Sequence, residues 1–284
     1  MDAAAEAARQ PRGPGFSDAV TFAFGDPQTG LYGLARLGLA GGGGSALAVL
    51  FAGRDPVAAV ARGGLEVAEG GGFERLELAG LHATVEEPLR RWTVALDGRF
   101  ELSFEALGAP AELDADEPAA RAGGMAGYEQ LCRVTGTAEG RAVRCLGQRG
   151  HTWGEPDWER MEAARSVAAW LEDGTGVALS AVRPGGAGDH ARDAVWAALL
   201  GPAASLRVDE PRLSTTYDEA GRQRRAGLEL WVGADDAYPR RAAGEVVCGS
   251  TLELGQLQLD CAFFSWRMEG VAGVGRYDVL RRAR

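Results

Sequence analysis

The sequence predicts an all-β protein in two halves, each about the size of a small barrel or sandwich. Three observations carry that reading. Apolar and polar residues alternate with period two along most of the chain, as in antiparallel sheet with one buried face. Glycine-rich turns, drawn from 42 glycines in 284 residues, punctuate the alternating runs. Helical periodicity is scarce. With 46% apolar and 25% charged residues, the chain can bury a substantial core in one large domain or two of ordinary size.

The first stretch, "MDAAAEAARQPRGPG", mixes acids and bases and has no apolar h-region, so residues 1–15 read as a disordered tail and not as a signal peptide. Alternation then starts at once. Val20, Phe22 and Phe24 share a face, Asp26-Pro27 and Gly30 turn the chain, and Leu31, Leu37 and Leu39 run back. "GGGGS" separates two alternating runs, so it is a hairpin loop in preference to a flexible linker. Arg54-Asp55-Pro56-Val57 to Gly63, with an Asp cap and Pro at the first helical position, suggests one short helix, and Asp157 to Arg165 suggests another. In "RRWTVALDGRFELSF" a two-residue turn would split the apolar set between two faces. A three-residue loop Leu96-Asp97-Gly98, with Gly98 left-handed, pairs Val94 with Phe100 and Trp92 with Leu102 and puts them all on one face.

"YEQLCRVTGTAEGRAVRCLGQRGHTW" is a further hairpin turning near Glu139-Gly140. Cys132 and Val134 share one face, Val143 and Cys145 another, and a register that buries both makes the cysteines cross-strand neighbours. If the second strand stays regular, that face continues to His151 and Trp153. The Ala/Gly/Pro-rich, acidic stretch at 106–127 is the best domain boundary. It divides the chain into 16–127 and 128–284, the second half opening with this hairpin.

Composition excludes several function classes. Net charge is −10, so nothing attracts a phosphate backbone and no nucleic-acid partner is expected. The chain contains no Lys, Asn or Ile, which removes Schiff-base lysines, a P-loop Lys and Asn-linked glycans. No run approaches ~18 consecutive apolar residues, so no transmembrane segment is predicted. Four scattered cysteines lack C-x-x-C spacing, and without an export signal they read as reduced thiols in a cytoplasmic protein. The three histidines show no metal-ligand spacing, and no phosphate loop or nucleophile elbow is present, so neither metal nor cofactor is expected. His82 and His190 sit in settings typical of surface or satisfied histidines.

That leaves "LGQRGHTWGEPDW", residues 146–158. In an extended strand His151 and Trp153 lie on one face, about 7 Å apart. An indole face stabilises a desolvated cation by roughly 0.5–2 kcal/mol, and an imidazole donates or relays a proton. Glu155 and Asp157 are near enough in sequence to orient it. The alternative is a histidine bonded to a turn carboxylate beside a core tryptophan.

The stretch "GQRGHTWGEPDW" resembles the Gly-x-Arg-Asp-His-Ser-Trp-Gly-x-Arg-Asp-Trp signature of a lipocalin-like superfamily that includes carotenoid 1,2-hydratases. "FAFGDPQTGLYGLARLG" and "MEGVAGVGRYDVL" are similar to its opening and closing strands. The resemblance implies two tandem lipocalin-like antiparallel barrels and an apolar cavity for an isoprenoid, polyene or similar lipid. It implies acid-assisted hydration or cyclisation of an alkene, with His151 as proton donor or relay, Trp153 as cation stabiliser and Glu155 or Asp157 as orienting carboxylate. In the hydratases a downstream Tyr-x-Asp completes the set; here the corresponding residues 174–182 read "GTGVALSAV", and Gly150 replaces the signature Asp. A non-catalytic carrier of a lipophilic ligand, with the motif as a structural plug, is the rival. A cavity with His151 pointing into it favours the enzyme, and a His151 enclosed by protein favours the carrier. The expectation is that His151 and Trp153 border the main apolar pocket where the two halves meet.

Overall fold

A computed structural model describes residues 1–9, 15–41, 43–68, 71–186, 192–233 and 238–283. Residues 10–14 of the expected tail, and His190, lie outside that set. Among the described residues the chain forms two curled, barrel-like antiparallel sheets with very little helix.

The first sheet contains β1 (Ser17–Asp26), β2 (Leu31–Ala40), β3 (Gly43–Ala52), β4 (Asp55–Leu65), β5 (Arg75–Leu78), β6 (Leu81–Glu87), β7 (Arg91–Leu96), β8 (Phe100–Ala106), β9 (Ala111–Leu113), β10 (Met125–Ala138) and β11 (Arg141–Gly154). Its order is β4-β3-β2-β1-β11-β10-β8-β7-β6-β5, with β9 on β10, and it curls until β5 and β6 return against β3 and β2. The second sheet contains β12 (Met161–Leu171), β13 (Gly176–Pro184), β14 (Ala194–Leu200), β15 (Leu206–Arg207), β16 (Glu210–Tyr217), β17 (Gln223–Trp231), β18 (Arg240–Leu254), β19 (Leu257–Met268) and β20 (Val271–Arg282). Its order is β15-β14-β13-β12-β20-β19-β18-β17-β16. The division between sheets therefore falls between Gly154 and Met161, where sequence composition had placed it at 127/128. The hairpin β10–β11 completes the first sheet because β11 pairs with β1 along Ser17–Gly25.

Period-two alternation produces three apolar layers. One fills the first barrel, around Phe22, Phe24, Trp92, Leu102 and Phe104, and one fills the second, around Leu179, Leu228, Phe264, Trp266 and Tyr277. The third lies between the sheets, where Leu34, Val49, Phe51 and Leu131 meet Trp170, Phe263 and Val274. The approach is close at β1, where a Cβ on Gly25 would stand 3.1 Å from Val274 Cγ2. The stretch expected as a boundary instead builds this layer. Its short helix α1 (Pro118–Gly123) has Pro at the start and left-handed Gly124 at the end, and buries Ala119 and Ala120 there.

Several local expectations need correction. Residues 54–63 form β4 and not a helix. Pro56 is tolerated because β4 is an edge strand paired only with β3. At 157–165, only a turn precedes β12, since the ladders of β12 with β13 and β20 override local helix signals. The β7–β8 loop has three residues and a left-handed Gly98 (φ +67°), but they are Asp97-Gly98-Arg99. Val94 pairs with Leu102 and Trp92 with Phe104, a shift of two that keeps every apolar residue on the buried face and adds Leu96 to it. In the next hairpin, Glu139 (φ +49°) and Gly140 (φ +70°) make a two-residue turn. Val134 faces Cys145 and Cys132 faces Gly147, so the cysteines are diagonal, not directly opposed. All four cysteines are free. No helix among the described residues is long and apolar enough to cross a membrane.

The first nine residues are not a disordered tail. Asp2 accepts from the Ala4 N–H and starts a single 3-10 turn over Ala3–Glu6, which carries Ala5 and Glu6 into the end of the first barrel.

Candidate functional site

Strand β11 runs without a bulge between β1 and β10, so its residues alternate strictly between two environments. Arg149, His151 and Trp153 point into the first barrel. Gln148, Gly150 and Thr152 point towards the second sheet. The motif picked out in the sequence is thus divided between an inner face and an outer one.

On the inner face His151 is fully buried, opposite Val20 and Tyr128. Its Nε2 lies 2.6 Å from Asp18 Oδ1 and its Nδ1 lies 3.1 Å from the Ala5 carbonyl. A carbonyl only accepts, so Nδ1 is the donor to Ala5, and Nε2 is paired with the Asp18 carboxyl. The imidazole is enclosed by Phe73, Tyr128 and Trp153 at centroid distances of 5.1, 5.8 and 5.1 Å. Trp153 is half-buried under the Arg9 guanidinium, 4.2 Å from its centroid. The acid that orients His151 is Asp18, brought alongside by the β1–β11 pairing. Glu155 and Asp157 are exposed beyond the strand end. The Glu155 N–H donates to the Gly124 carbonyl, and the Asp157 carboxylate accepts from the Glu159 N–H. None of the four expected site residues lines the cavity between the two sheets. His82 is a satisfied surface histidine, 2.8 Å from Asp97 and 3.4 Å from Glu77.

The outer face of β11 borders a cavity of about 340 Å³ between the sheets. Leu34, Leu47, Leu113, Trp158, Val182 and Leu280 supply apolar wall, and α1 closes one side through Ala119 and Gly123. One corner is charged. Arg36 of β2, Glu129 of β10, and Arg276 and Asp278 of β20 meet there beside Thr152, Ser166 and Ser180. A hydrogen-bond chain crosses the junction. Trp170 Nε1 donates to Gln148 Oε1 (3.3 Å) and Gln148 Nε2 donates to Glu129 Oε2 (2.8 Å). Glu129 Oε1 lies 3.8 Å from Arg276 Nη2, and Arg276 Nη1 donates to Asp278 Oδ2 at 2.6 Å. Buried Asp278 Oδ1 has no hydrogen-bond partner, and the Arg36 side chain makes no hydrogen bond or ion pair among the described residues.

Burial raises the Glu129 carboxyl above the ordinary carboxylate range, with Arg276 and Gln148 pulling back. Burial likewise raises Asp278, against Arg276. Burial first, and the like charge of Arg276 second, bring Arg36 down to about 10, still charged at neutral pH. The corner therefore holds two cations and two carboxyls whose proton affinity burial raises. No group of three or more His, Cys, Asp or Glu among the described residues is placed to hold a metal.

Glu129 also accounts for Gly150. The two residues are cross-strand partners, and a Cβ at 150 would stand 2.6 Å from Glu129 Oε2. A carboxylate from β10 covers the position where the superfamily signature carries its own. Sequence reasoning missed Glu129, Arg276, Asp278 and Arg36. Their signal was present: Arg276 and Asp278 alternate around Tyr277 in "GRYDVL", and Glu129 lies in the same hairpin as the motif.

The class follows from this architecture: two lipocalin-like barrels in tandem, packed through a shared apolar layer. Solved structures agree. Kievitone hydratase from Nectria haematococca aligns with TM-score 0.62 and 11% identity over 96% of this chain and 90% of that one. CghA in complex with Sch210972 aligns with TM-score 0.61 and 12% identity over 95% and 89%. An AttH-like protein from Nitrosomonas europaea aligns with TM-score 0.60 and 13% identity over 94% and 92%. At such identities the likeness is one of fold. In sequence, residues 2–283 match the model of a domain of unknown function (DUF7064), and the chain belongs to that family. No curated protein matches it.

Proposed function

We propose that the chain binds a hydrophobic small molecule in the inter-sheet cavity and acts on it by acid-assisted addition of water or cyclisation. The observation that carries this is the charged corner in an otherwise apolar chamber: Arg36, whose side chain has no partner among the described residues, lines it with Glu129, Arg276 and Asp278, and the buried Asp278 Oδ1 is left without a hydrogen bond. The volume falls in the range of small-molecule pockets. The fold-level likeness to a hydratase, and to a protein crystallised with a small molecule, supports the same reading.

The chemistry belongs to the corner. A carboxyl held protonated by burial, Glu129 or Asp278, gives its proton to an alkene carbon or carbonyl oxygen of the ligand. Arg276 then stabilises the carboxylate that results, and Arg36 holds an anionic or carbonyl oxygen at the ligand's polar end. Water adds to the cationic carbon and returns a proton to the carboxylate. His151 and Trp153 hold the strand from behind. A non-catalytic carrier is the second reading, favoured by the enclosure of His151 in protein contacts and by the engagement of both Glu129 oxygens in the cross-sheet chain.

Native mass spectrometry of the purified chain tests the cavity. A co-purified small-molecule adduct is expected. Ala164→Trp, which fills the chamber from β12, is expected to remove it while the protein stays folded. Persistence of the adduct in that variant overturns the cavity assignment. Turnover separates the two readings: an enzyme converts its ligand and loses that turnover but not the adduct in Glu129→Gln or in Asp278→Asn, whereas a carrier returns the ligand unchanged.

A further inference from the structure

The inner face of β11 leads to a second site. We propose that the end of the first barrel is a binding site for amphiphilic carboxylates, one carboxylate on an apolar tail, and that the chain's own Glu6 occupies it as an internal ligand.

The barrel supplies a complete receptor for one carboxylate. Trp92 Nε1 of β7 donates to Glu6 Oε2 at 2.8 Å, and the Tyr128 hydroxyl of β10 donates to Glu6 Oε1 at 3.1 Å. The Arg149 guanidinium of β11 stands 2.5 Å from the same Oε1. Three donors from three strands converge on one point, and Arg149 is 1% exposed there. Arg149 is held by the barrel itself, donating to the Tyr128 hydroxyl (3.2 Å) and lying over the rings of Trp92 and Tyr128. Among the described residues the carboxylate in contact with it is that of Glu6, and Glu129 of β10 acts on it only at longer range from the other face of the sheet. Its Nε and Nη2 remain without aligned hydrogen bonds, so Glu6 fits the receptor incompletely. A buried guanidinium without a carboxylate is costly, so the barrel is built for an occupant.

The present occupant is simple. "AAAEAA", residues 3–8, offers one specific group among alanines. Only Ala5 and Glu6 are buried, while Met1 to Ala4 are exposed. The segment joins no sheet. It is tied on by Ala5 to His151, by the Arg9 N–H to Asp18 (2.5 Å) and by Arg9 over Trp153. So few apolar contacts let it open far more cheaply than the barrel unfolds. A carboxylate that displaces Glu6 finds an apolar course for its tail along the path of residues 5–9, over Trp153, where Ala8 now packs on the core.

The test uses the full chain carrying Glu6→Ala, with octanoate and its uncharged counterpart octanamide as probes and thermal unfolding as the readout. Octanoate is expected to raise the Tm of Glu6→Ala in a saturable way, and octanamide is not. Adding Arg149→Met is expected to weaken the octanoate response at least about tenfold, the loss of a charge-assisted hydrogen bond. Ala164→Trp, which fills the other cavity, is expected to leave the response intact. The proposal is overturned by a folded Glu6→Ala that ignores octanoate, by equal responses to both probes, or by a response that survives Arg149→Met or vanishes with Ala164→Trp. If Glu6→Ala does not fold alone, refolding with each probe decides: recovery with octanoate only supports the site, and recovery with neither or with both refutes it.

Discussion

Replacing His151 by alanine distinguishes a structural motif from a chemical one. His151 is fully buried and Asp18 is 1% exposed, and they are joined at 2.6 Å. Removing the imidazole leaves the Asp18 carboxylate in the barrel with the Arg9 N–H as its one donor among the described residues. Breaking a buried pair from one side costs about 3–5 kcal/mol. The same substitution deletes ring contacts to Phe73, Tyr128 and Trp153 and opens a void, so the upper half of that range applies. At roughly 2–4 °C per kcal/mol for a chain of this size, Tm falls by about 8–20 °C. Thermal and urea unfolding followed by tryptophan fluorescence measure this directly. Asp18→Ala added to His151→Ala is expected to recover part of the loss, because the orphaned charge goes with it. Folded His151→Ala is expected to keep its cavity ligand. A Tm within about 2 °C of wild type together with lost turnover would refute the reasoning and return the motif to catalysis.

The pH dependence of stability gives a second test. With Glu129 and Asp278 raised by burial, the folded chain binds more protons than the unfolded one between the ordinary and the raised carboxyl values. Stability therefore falls as pH rises through that window, by at most about 1.4 kcal/mol per unit per group. Glu129→Gln, which leaves Arg276 its Asp278 partner, is expected to flatten the decline; an unchanged slope in unfolding measured across pH 4–8 counts against the raised carboxyl. Gly150→Ala pushes against the Glu129 carboxylate and is expected to cost about 1–3 kcal/mol, most of it recovered in Gly150→Ala/Glu129→Ala. Additive losses in that cycle would mean the two positions do not meet. Gly98→Ala places a side chain at φ +67° in open space and is expected to cost about 1–2 kcal/mol by backbone strain alone. A neutral result in urea denaturation would contradict the left-handed loop.

Much of the fold was legible because the dominant signal, alternation broken by glycine turns, is local. The buried set Trp92, Val94, Phe100 and Leu102 followed from it, and a register error of two residues left that set intact because the period of the sheet is also two. Helix signals at Pro56 and Asp157 misled because pairing with a neighbouring strand outweighs a cap and a favourable first turn. The site was only half legible. His151 and Trp153 share an inward face as alternation requires, but which chamber that face encloses depends on how two sheets pack, and no local pattern carries that. Asp18 and Glu6 reach His151 and Arg149 across more than a hundred residues of sequence, so nearness in the chain pointed to Glu155 and Asp157 instead.

Each sheet is seamed at its centre by its own first and last strands, β1 with β11 and β12 with β20. Within each sheet those seams are the strand pairings of longest sequence separation, and closing such loops is what slows β proteins. Glu129 and Gln148 belong to a short hairpin that forms early on this account, whereas Arg276 and Asp278 arrive on β20, the last strand of the second sheet in chain order. The chamber therefore has no half-built form. Until β20 slots between β12 and β19, its acid corner has one wall, and ligand binding during refolding reports the final zipping of the second seam.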